Sequence, residues 1–235
     1  MRILHLYRDL LNLYGEYGNV EILFRHLQDQ GYETEIFVAD LKAKFNFDDF
    51  DFIYCGSGLE SNLKVALKDI QRHKEGLIDA INKNKCILFT GNSMELLGES
   101  IDDIPGLNIA PIYSHTTSKR FTGDVIVKNK DFGELVGFIN RSSIVVNYAD
   151  DPLFEYVFKD PSLKDENRFE GYRIKNLIGT HLIGPILVKN PELLKFYITE
   201  ILHNKDQYLD YHDYDYVFEK EAYDITLNEL KKRIK

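Results

Sequence analysis

Along the first hundred residues, short apolar runs alternate with segments whose apolar residues recur at helical spacing. Four segments have the length and apolar content of β-strands, and the last two end in glycine: RILHLY at 2–7, YETEIFV at 32–38, FDFIYCGSG at 50–58 and KCILFTG at 85–91. Residues 19–30 carry apolar side chains at helical spacing before Gly31, and residues 62–83 predict one or two further helices.

This alternation predicts an α/β fold, with a mostly parallel central sheet and helices on both faces. Ligands in such folds bind at the carboxyl ends of the strands. Three unusual loops follow predicted strands: DLLNLYGEYGN at 9–19, CGSGLES at 55–61 and TGNSME at 90–95. We therefore expect all three loops on one rim, with SMELLGES at 93–100 beginning a helix.

The pattern changes after Gly106. TTSKRFTGDVIVKN at 116–129 and ELVGFINRSSIVVN at 134–147 predict antiparallel strands, whereas residues 150–172 have the pattern of an irregular loop. A helix is expected at 190–202, with Asn190 as its N-cap. Since no linker or repeat interrupts the chain, we expect one domain over 1–235, with 208–235 as an appended helix.

Charge and composition narrow the class of protein. The formal net charge of -9 argues against nucleic acid as the main partner. No apolar run approaches the ~20 residues that span a bilayer, and MRILHLYRDL predicts a buried strand rather than a signal peptide. Two cysteines, Cys55 and Cys86, form no disulfide framework, so we expect a cytoplasmic protein.

The sequence predicts neither a metal site nor a cofactor. Its seven histidines are scattered without ligand spacing, and HDYDY at 212–216 is typical of a solvated acidic face. A P-loop and a GxGxxG motif are both absent from the sequence.

Five motifs occur in an order that is specific. They are LNLYG followed by GN near the N-terminus, FTGNSMELLG at 89–98, KRFTGDV at 119–125, GFINRSS at 137–143 and KNLIGTHLIGP at 175–185. From about Asp9 to Pro191 the chain resembles the CobB/CobQ-like class I glutamine amidotransferases, most of all the amidotransferase subunits of lipid II isoglutaminyl synthases. The resemblance implies the flavodoxin-like fold of that family.

The resemblance also places two catalytic positions, and neither residue fits its role. The family's nucleophile motif is roughly C-G-G-Y-Q-x-L-G, which puts the cysteine position at Gly91 when aligned on Leu97-Gly98. The later motif is roughly G-T-Y-x-H-G-P, which puts the histidine position at Ile183. Because glutamine hydrolysis needs a nucleophile activated by a base, these replacements indicate a subunit without its own glutaminase activity.

Three residues are alternatives for the missing pair. Ser93 has half of a G-x-S-x-G pattern but suits a helix cap as well. His181 lies two residues before the histidine position, on the same face if the segment is a strand, and a simply hydrogen-bonded histidine is the competing interpretation. Cys55 ends a strand near the rim, where a free cysteine commonly fills core space.

Other motif positions are retained. By resemblance, Gly56, Ser57 and Gly58 correspond to the oxyanion-hole loop, and Arg120 would hold the carboxylate of a bound glutamine. The front loop adds Asn12 and Tyr14 as binding candidates. Within GFINRSS, Ile139 and Arg141 stand where the family has Glu and His, so glutamine recognition is altered too.

The activity of the family that the chain resembles suggests three functional hypotheses. By resemblance, the active complex amidates the D-glutamate of lipid II in peptidoglycan synthesis, with a Mur-ligase-like partner that uses ATP. The chain would be an inactive subunit of such a complex, an active amidotransferase with a displaced nucleophile, or a module that binds glutamine or another small carboxylate. An amidotransferase of cobalamin biosynthesis is a further alternative, which the front loop and the short length disfavour.

Overall fold

The computed structural model describes residues 1–147, 152–206 and 208–234. Its twelve strands are β1 Arg2–Leu6, β2 Glu35–Ala39, β3 Phe52–Cys55, β4 Cys86–Thr90, β5 Ser100–Ile101, β6 Ile104–Pro105, β7 Ile112–Asn129, β8 Gly133–Asn147, β9 Phe154–Lys159, β10 Phe169–Glu170, β11 Tyr172–Ile174 and β12 Leu177–Thr180. Its α-helices are α1 Gly18–Asp29, α2 Glu60–Ile70, α3 Lys74–Asn82, α4 Ile186–Lys189, α5 Pro191–Lys205 and α6 Val217–Lys231.

The central sheet has the strand order β11-β12-β4-β3-β1-β2. All its pairs are parallel except β11 with β12, which confirms the expected mostly parallel sheet. Cys55 pairs with Leu6 on one side and Phe89 on the other, and Thr90 pairs with Thr180. The strands β1, β3, β4 and β12 therefore end at one edge, and the loops that follow them share a rim.

Helices cover both faces of this sheet. Because successive strand residues point to opposite faces, each strand contributes side chains to two cores. Ile3 packs into a core with α1 and α5, whereas Leu4 packs into a second core with α2 and α3. Phe52 and Ile53 divide between the two cores in the same way. Every residue of β3 and β4 is buried, as expected for strands with apolar layers on both faces.

A second sheet is built on the long antiparallel hairpin of β7 and β8, as the sequence predicted. The expectation of an irregular loop over 150–172 was wrong for the described part, because β9 and β10 lie there. Tyr156 of β9 pairs with Val127 of β7, a partner distant in sequence, so tertiary pairing rather than local pattern makes this strand. Residues 150 and 151 of that predicted loop lie outside the described residues.

Two local predictions differ from the structure in detail. The helix expected to begin at Ser93 is a 3₁₀-helix over Gly91–Leu97, so it starts two residues earlier and ends before Gly98. Asn190 precedes α5, but its side chain makes no cap hydrogen bond. Its Oδ1 accepts from the Val136 amide at 2.7 Å and its Nδ2 donates to the Val136 carbonyl at 2.9 Å, which joins α5 to β8 instead.

The C-terminal segment returns across the molecule. The His26 ring of α1 stacks on Tyr216, with ring centroids 3.8 Å apart. Helix α6 then packs Leu227 and Leu230 against Ile126 and Val136 of the hairpin. Among the described helices, none combines the length and the apolar content that crossing a bilayer requires.

Candidate functional site

A sharp turn follows β4 at the shared rim. Thr90 is extended, and Gly91 then adopts the left-handed conformation with φ +60°. An L-residue with a side chain is strained in this region, whereas glycine is not. All seven residues of the following 3₁₀-helix are buried. The sequence thus forms the backbone of a nucleophile-bearing turn with no side chain at its apex.

The space beside this apex is filled by other side chains. A Cβ atom built on Gly91 would lie 2.5 Å from the Ser57 Cβ and 3.0 Å from Cγ2 of Ile183. The structure therefore brings together Gly91 and Ile183, the two positions at which the resemblance places nucleophile and base. It leaves no room between them for a thiol, because real Cβ atoms do not approach other heavy atoms this closely.

The side chain of Asn92 closes the neighbouring glycine loop. Its Oδ1 accepts hydrogen bonds from the Gly58 amide at 3.0 Å and from the Ser57 hydroxyl at 3.2 Å, while its Nδ2 donates to the Gly58 carbonyl at 2.8 Å. The Gly58 amide, which by resemblance would face a substrate oxygen, is already satisfied. Sequence reasoning missed this role, although Asn92 stands where the family motif has glycine.

Little space remains beyond Asn92. The cavity bounded by Asn92, Glu95, Ser142 and Ser143 has a volume of about 10 Å³. A single buried water needs about 10–15 Å³ on the same measure, so the cavity cannot admit an amino acid in this conformation.

A buried carboxyl group supports the turn from beneath. Glu16 accepts hydrogen bonds from Thr90, from the Tyr54 hydroxyl at 2.9 Å and from the Gly184 amide at 2.9 Å. Burial raises the pKa of Glu16, although these hydrogen bonds oppose the shift. Glu16 thereby ties the front loop to the turn after β4 and to the loop after β12. It lies inside LNLYGEYGN, but no sequence signal separated it from the exposed acidic residues.

Ser93 and Cys55 lie beneath the turn and are both fully buried. The Ser93 hydroxyl is 2.8 Å from the Thr90 carbonyl and 2.9 Å from the Cys55 carbonyl, and it donates to the backbone. Burial raises the pKa of the Cys55 thiol to about 12, so it is not a thiolate near neutral pH. Neither group has a base within hydrogen-bond reach, so the contacts of both are structural.

His181 follows β12 and is held between two carboxylates. Its Nε2 lies 3.3 Å from Glu95, and its Nδ1 lies 3.3 Å from Glu170. Burial alone would lower the pKa of His181, but hydrogen bonds to Glu170 and Glu95 outweigh it and raise that pKa. Burial alone would raise the pKa of Glu95, but its contacts with His181, Ser143 and Ser114 together outweigh burial and lower that pKa. Both ring nitrogens of His181 therefore face a carboxylate, so the ring joins three segments and neither nitrogen is free to act as a base.

Arg120 lies on the rim, where its guanidinium contacts the front loop. It donates to Asn140 at 2.6 Å, to Ser142 at 3.2 Å and to the Tyr14 hydroxyl at 3.2 Å. Tyr14 itself has the left-handed φ of +62°. Half of the Arg120 side chain is exposed, so the charge is accessible from solvent.

The remaining candidates shape the loops. Asn12 accepts a hydrogen bond from the Tyr17 amide at 2.8 Å, which stabilises the front loop. A Cβ on Gly56 or on Gly58 would lie 2.6 Å from a backbone oxygen of that loop, so glycine permits the close approach. In the part of the chain that the structure describes, no group of three or more His, Cys, Asp or Glu side chains could hold a metal ion.

Sequence comparison identifies relatives of this chain. Residues 2–191 match the family model of the CobB/CobQ-like glutamine amidotransferase domain. The chain is 28% identical over 210 residues to the "Lipid II isoglutaminyl synthase (glutamine-hydrolyzing) subunit GatD" of Staphylococcus aureus, covering 87% of this chain and 86% of that protein. The protein of the same name from Streptococcus pneumoniae is 29% identical over 213 residues, covering 87% of this chain and 82% of that protein.

Structural comparison gives the same fold at low identity. PurLQS from Thermotoga maritima aligns with a TM-score of 0.55 and 15% identity, and the alignment covers 89% of this chain and 99% of that one. A glutamine amidotransferase from the same organism aligns with a TM-score of 0.53 and 12% identity, covering 99% of this chain and 92% of that one. These similarities establish the class I glutamine amidotransferase fold.

Proposed function

Because the chain belongs to the CobB/CobQ-like glutamine amidotransferase family, we propose that it is the amidotransferase-like subunit of a lipid II isoglutaminyl synthase and that it does not hydrolyse glutamine itself. It works in the cytoplasm beside a Mur-ligase-like chain that uses ATP, in the amidation of lipid II D-glutamate. It folds as one domain, since both large cores draw side chains from both sheets.

The observation that carries the proposal is the filled apex of the β4 turn. Amide hydrolysis in this fold needs a nucleophile, an adjacent base and donors for the developing oxyanion. Gly91 offers no nucleophile, Ile183 offers no base, and the Gly58 amide is occupied by Asn92. All three requirements are unmet at one place.

A displaced catalytic group is not supported by the contacts. Ser93 donates to backbone carbonyls, Cys55 is a buried thiol, and His181 is saturated by Glu95 and Glu170. None of the three forms a nucleophile–base pair with another. The names of the relatives support the peptidoglycan branch over the cobalamin alternative.

The direct test is synthase activity of the complex of this chain and its Mur-ligase-like partner. We expect amidation of lipid II with ammonium chloride and ATP, but no amidation with glutamine and no release of glutamate from it. A glutaminase-active relative serves as the positive control. Glutamine-dependent turnover by the complex would overturn the inactive assignment, and failure of the two chains to associate would overturn the subunit assignment.

A second candidate function, binding of a small carboxylate, is favoured by the half-exposed Arg120 on the rim. Its guanidinium is preorganised by Asn140, Ser142 and Tyr14. A thermal-shift screen of glutamine, glutamate and related acids tests this function. Stabilisation that disappears in Arg120→Ala would support it, and no stabilisation by any acid would exclude it.

A further inference from the structure

Helix α6 has an outer face that the fold itself does not use. Its inner face is satisfied, because Leu227 and Leu230 are buried against the hairpin and the Tyr223 hydroxyl donates to the Glu134 carbonyl at 2.7 Å. On the opposite side, Phe218 is 86% exposed and Ile225 is 65% exposed. These two residues are seven positions apart, so they lie on the same line along the helix.

Single exposed apolar residues are ordinary on protein surfaces, but Phe218 and Ile225 have the spacing of helix residues that insert into a partner's groove. Ala222 lies between Phe218 and Ile225 at helical spacing and is exposed as well. Spacing of i, i+4 and i+7 is the pattern with which a helix docks into a groove of another protein. Large aromatic and aliphatic anchors of this kind supply most of the energy of such contacts.

Acidic side chains outnumber basic ones around these anchors. Residues 213–225 contain five acidic side chains and one basic side chain, Lys220. Three of the five already contact a basic side chain of the same chain, since Asp213 contacts Lys195, Asp215 contacts Lys220 and Glu219 contacts His26. Glu221 and Asp224 therefore set the acidic border, which favours a partner with a basic rim and disfavours another copy of this acidic chain, whose formal charge is -9.

Helix α6 is held in a fixed place although it lies outside the family match, which ends at residue 191. The His26 ring anchors the start of this segment through its stack on Tyr216 and its 3.0 Å contact with Glu219. The outer face of α6 is therefore presented on a fixed support.

We propose that the Phe218–Ala222–Ile225 face of α6 is a docking surface for the Mur-ligase-like partner, which contributes an apolar groove with a basic rim. This inference rests on the proposed subunit function. It predicts that the complex depends on two apolar anchors and weakens as ionic strength rises, because the acidic border adds attraction that salt screens.

The test measures the dissociation constant between this chain and its partner by titration calorimetry. Phe218→Ser and Ile225→Ser are each expected to weaken binding about tenfold or more, as hot-spot anchors do. Leu41→Ser with Val65→Ser is the matched control, because those side chains are 41% and 43% exposed on other surfaces. Glu221→Lys with Asp224→Lys should weaken binding while reducing its salt dependence.

Each outcome has a distinct meaning. No binding by the unaltered chain would overturn the proposed function. Binding by the unaltered chain that neither the serine nor the lysine substitutions weaken would overturn the docking surface alone. Self-association of the chain that Phe218→Ser abolishes would assign the face to a second copy and also overturn the inference. Thermal unfolding of every variant confirms that the anchors were removed from a folded protein.

Discussion

The proposed loss of glutaminase activity rests on four residues around one turn. Gly91 supplies the turn's left-handed conformation, while the side chains of Ser57, Asn92 and Ile183 fill the surrounding space. The positions Gly91 and Ile183 could be singled out from the sequence, because motifs fix their register. The roles of Asn92 and Glu16 could not, because both depend on partners that only the fold brings near.

Steric filling at residue 91 can be separated from backbone strain. Gly133 also has a left-handed φ, of +70°, but nothing lies within 4 Å of a Cβ built there. Gly133→Ala should therefore cost about 1 kcal/mol from strain alone, whereas Gly91→Ala should cost about 2–4 kcal/mol. Urea unfolding of both variants measures the difference. Equal losses would show that the space beside Gly91 is not filled.

The side-chain amide of Asn92 should stabilise the glycine loop through both its oxygen and its nitrogen. Asn92→Asp keeps the acceptor for Gly58 but replaces the donor to the Gly58 carbonyl with an oxygen. We expect a loss of about 1–3 kcal/mol in unfolding free energy, because a buried carbonyl loses its donor. Asn228→Asp on the exposed face of α6 is the control. An unchanged stability of Asn92→Asp would contradict the closed loop.

At the scale of elements, the sequence predicted the strands and helices whose formation depends mainly on neighbouring residues. The strands β1 to β4 are continuous apolar or alternating runs, so their existence follows from the sequence. The strand β9 was missed because its pairing with β7 links residues distant in sequence. The sequence predicted a helix from Ser93 but not its 3₁₀ form, because tertiary contacts at the turn override helix propensity.

The bridge Glu95–His181–Glu170 joins the 3₁₀-helix, β10 and the end of β12, so it should make stability depend on pH. The folded pKa of His181 is raised above 6.5, so its contribution is full below 6.5 and is lost as pH rises through the folded pKa. The folded pKa of Glu95 is lowered below 4.5, so its contribution is full above 4.5 and is lost as pH falls through the folded pKa.

Chemical unfolding across pH measures this dependence. We expect His181→Gln to be about 3 kcal/mol less stable near pH 6, since two buried carboxylates lose their counter-charge. The variant should also lose stability less steeply than the unaltered chain on the alkaline side. His115→Gln, on the exposed surface, is the control. Parallel alkaline curves for the unaltered chain and His181→Gln would show that His181 does not carry the charge.

At the scale of the whole molecule, the two sheets share packed cores and the C-terminal helix returns to cover the hairpin. The α/β class and the mostly parallel sheet were predictable, because alternation of strands and helices repeats along the chain. The way α6 covers the hairpin was not predictable. Its inner and outer faces both carry apolar residues, so the pattern alone does not decide which one is buried.

Removal of residues 207–235 tests how much α6 contributes to the fold. It would expose Ile126, Val136 and Phe158 of the second sheet. We expect a lower midpoint of thermal unfolding and a tendency to associate, since a new apolar patch appears. Calorimetry and light scattering measure the two effects. A truncated chain that is as stable and monodisperse as the full chain would show that α6 serves only its outer surface.

The filled turn has an evolutionary consequence. Gly91→Cys places a side chain against Ser57 and Ile183, Ile183→His faces no thiol, and Asn92→Gly opens the glycine loop without supplying a nucleophile. Each single substitution loses packing or hydrogen bonds and supplies only part of a nucleophile–base pair. On the proposed function, a gain of glutamine hydrolysis therefore requires several changes at once, and no intermediate sequence has an advantage.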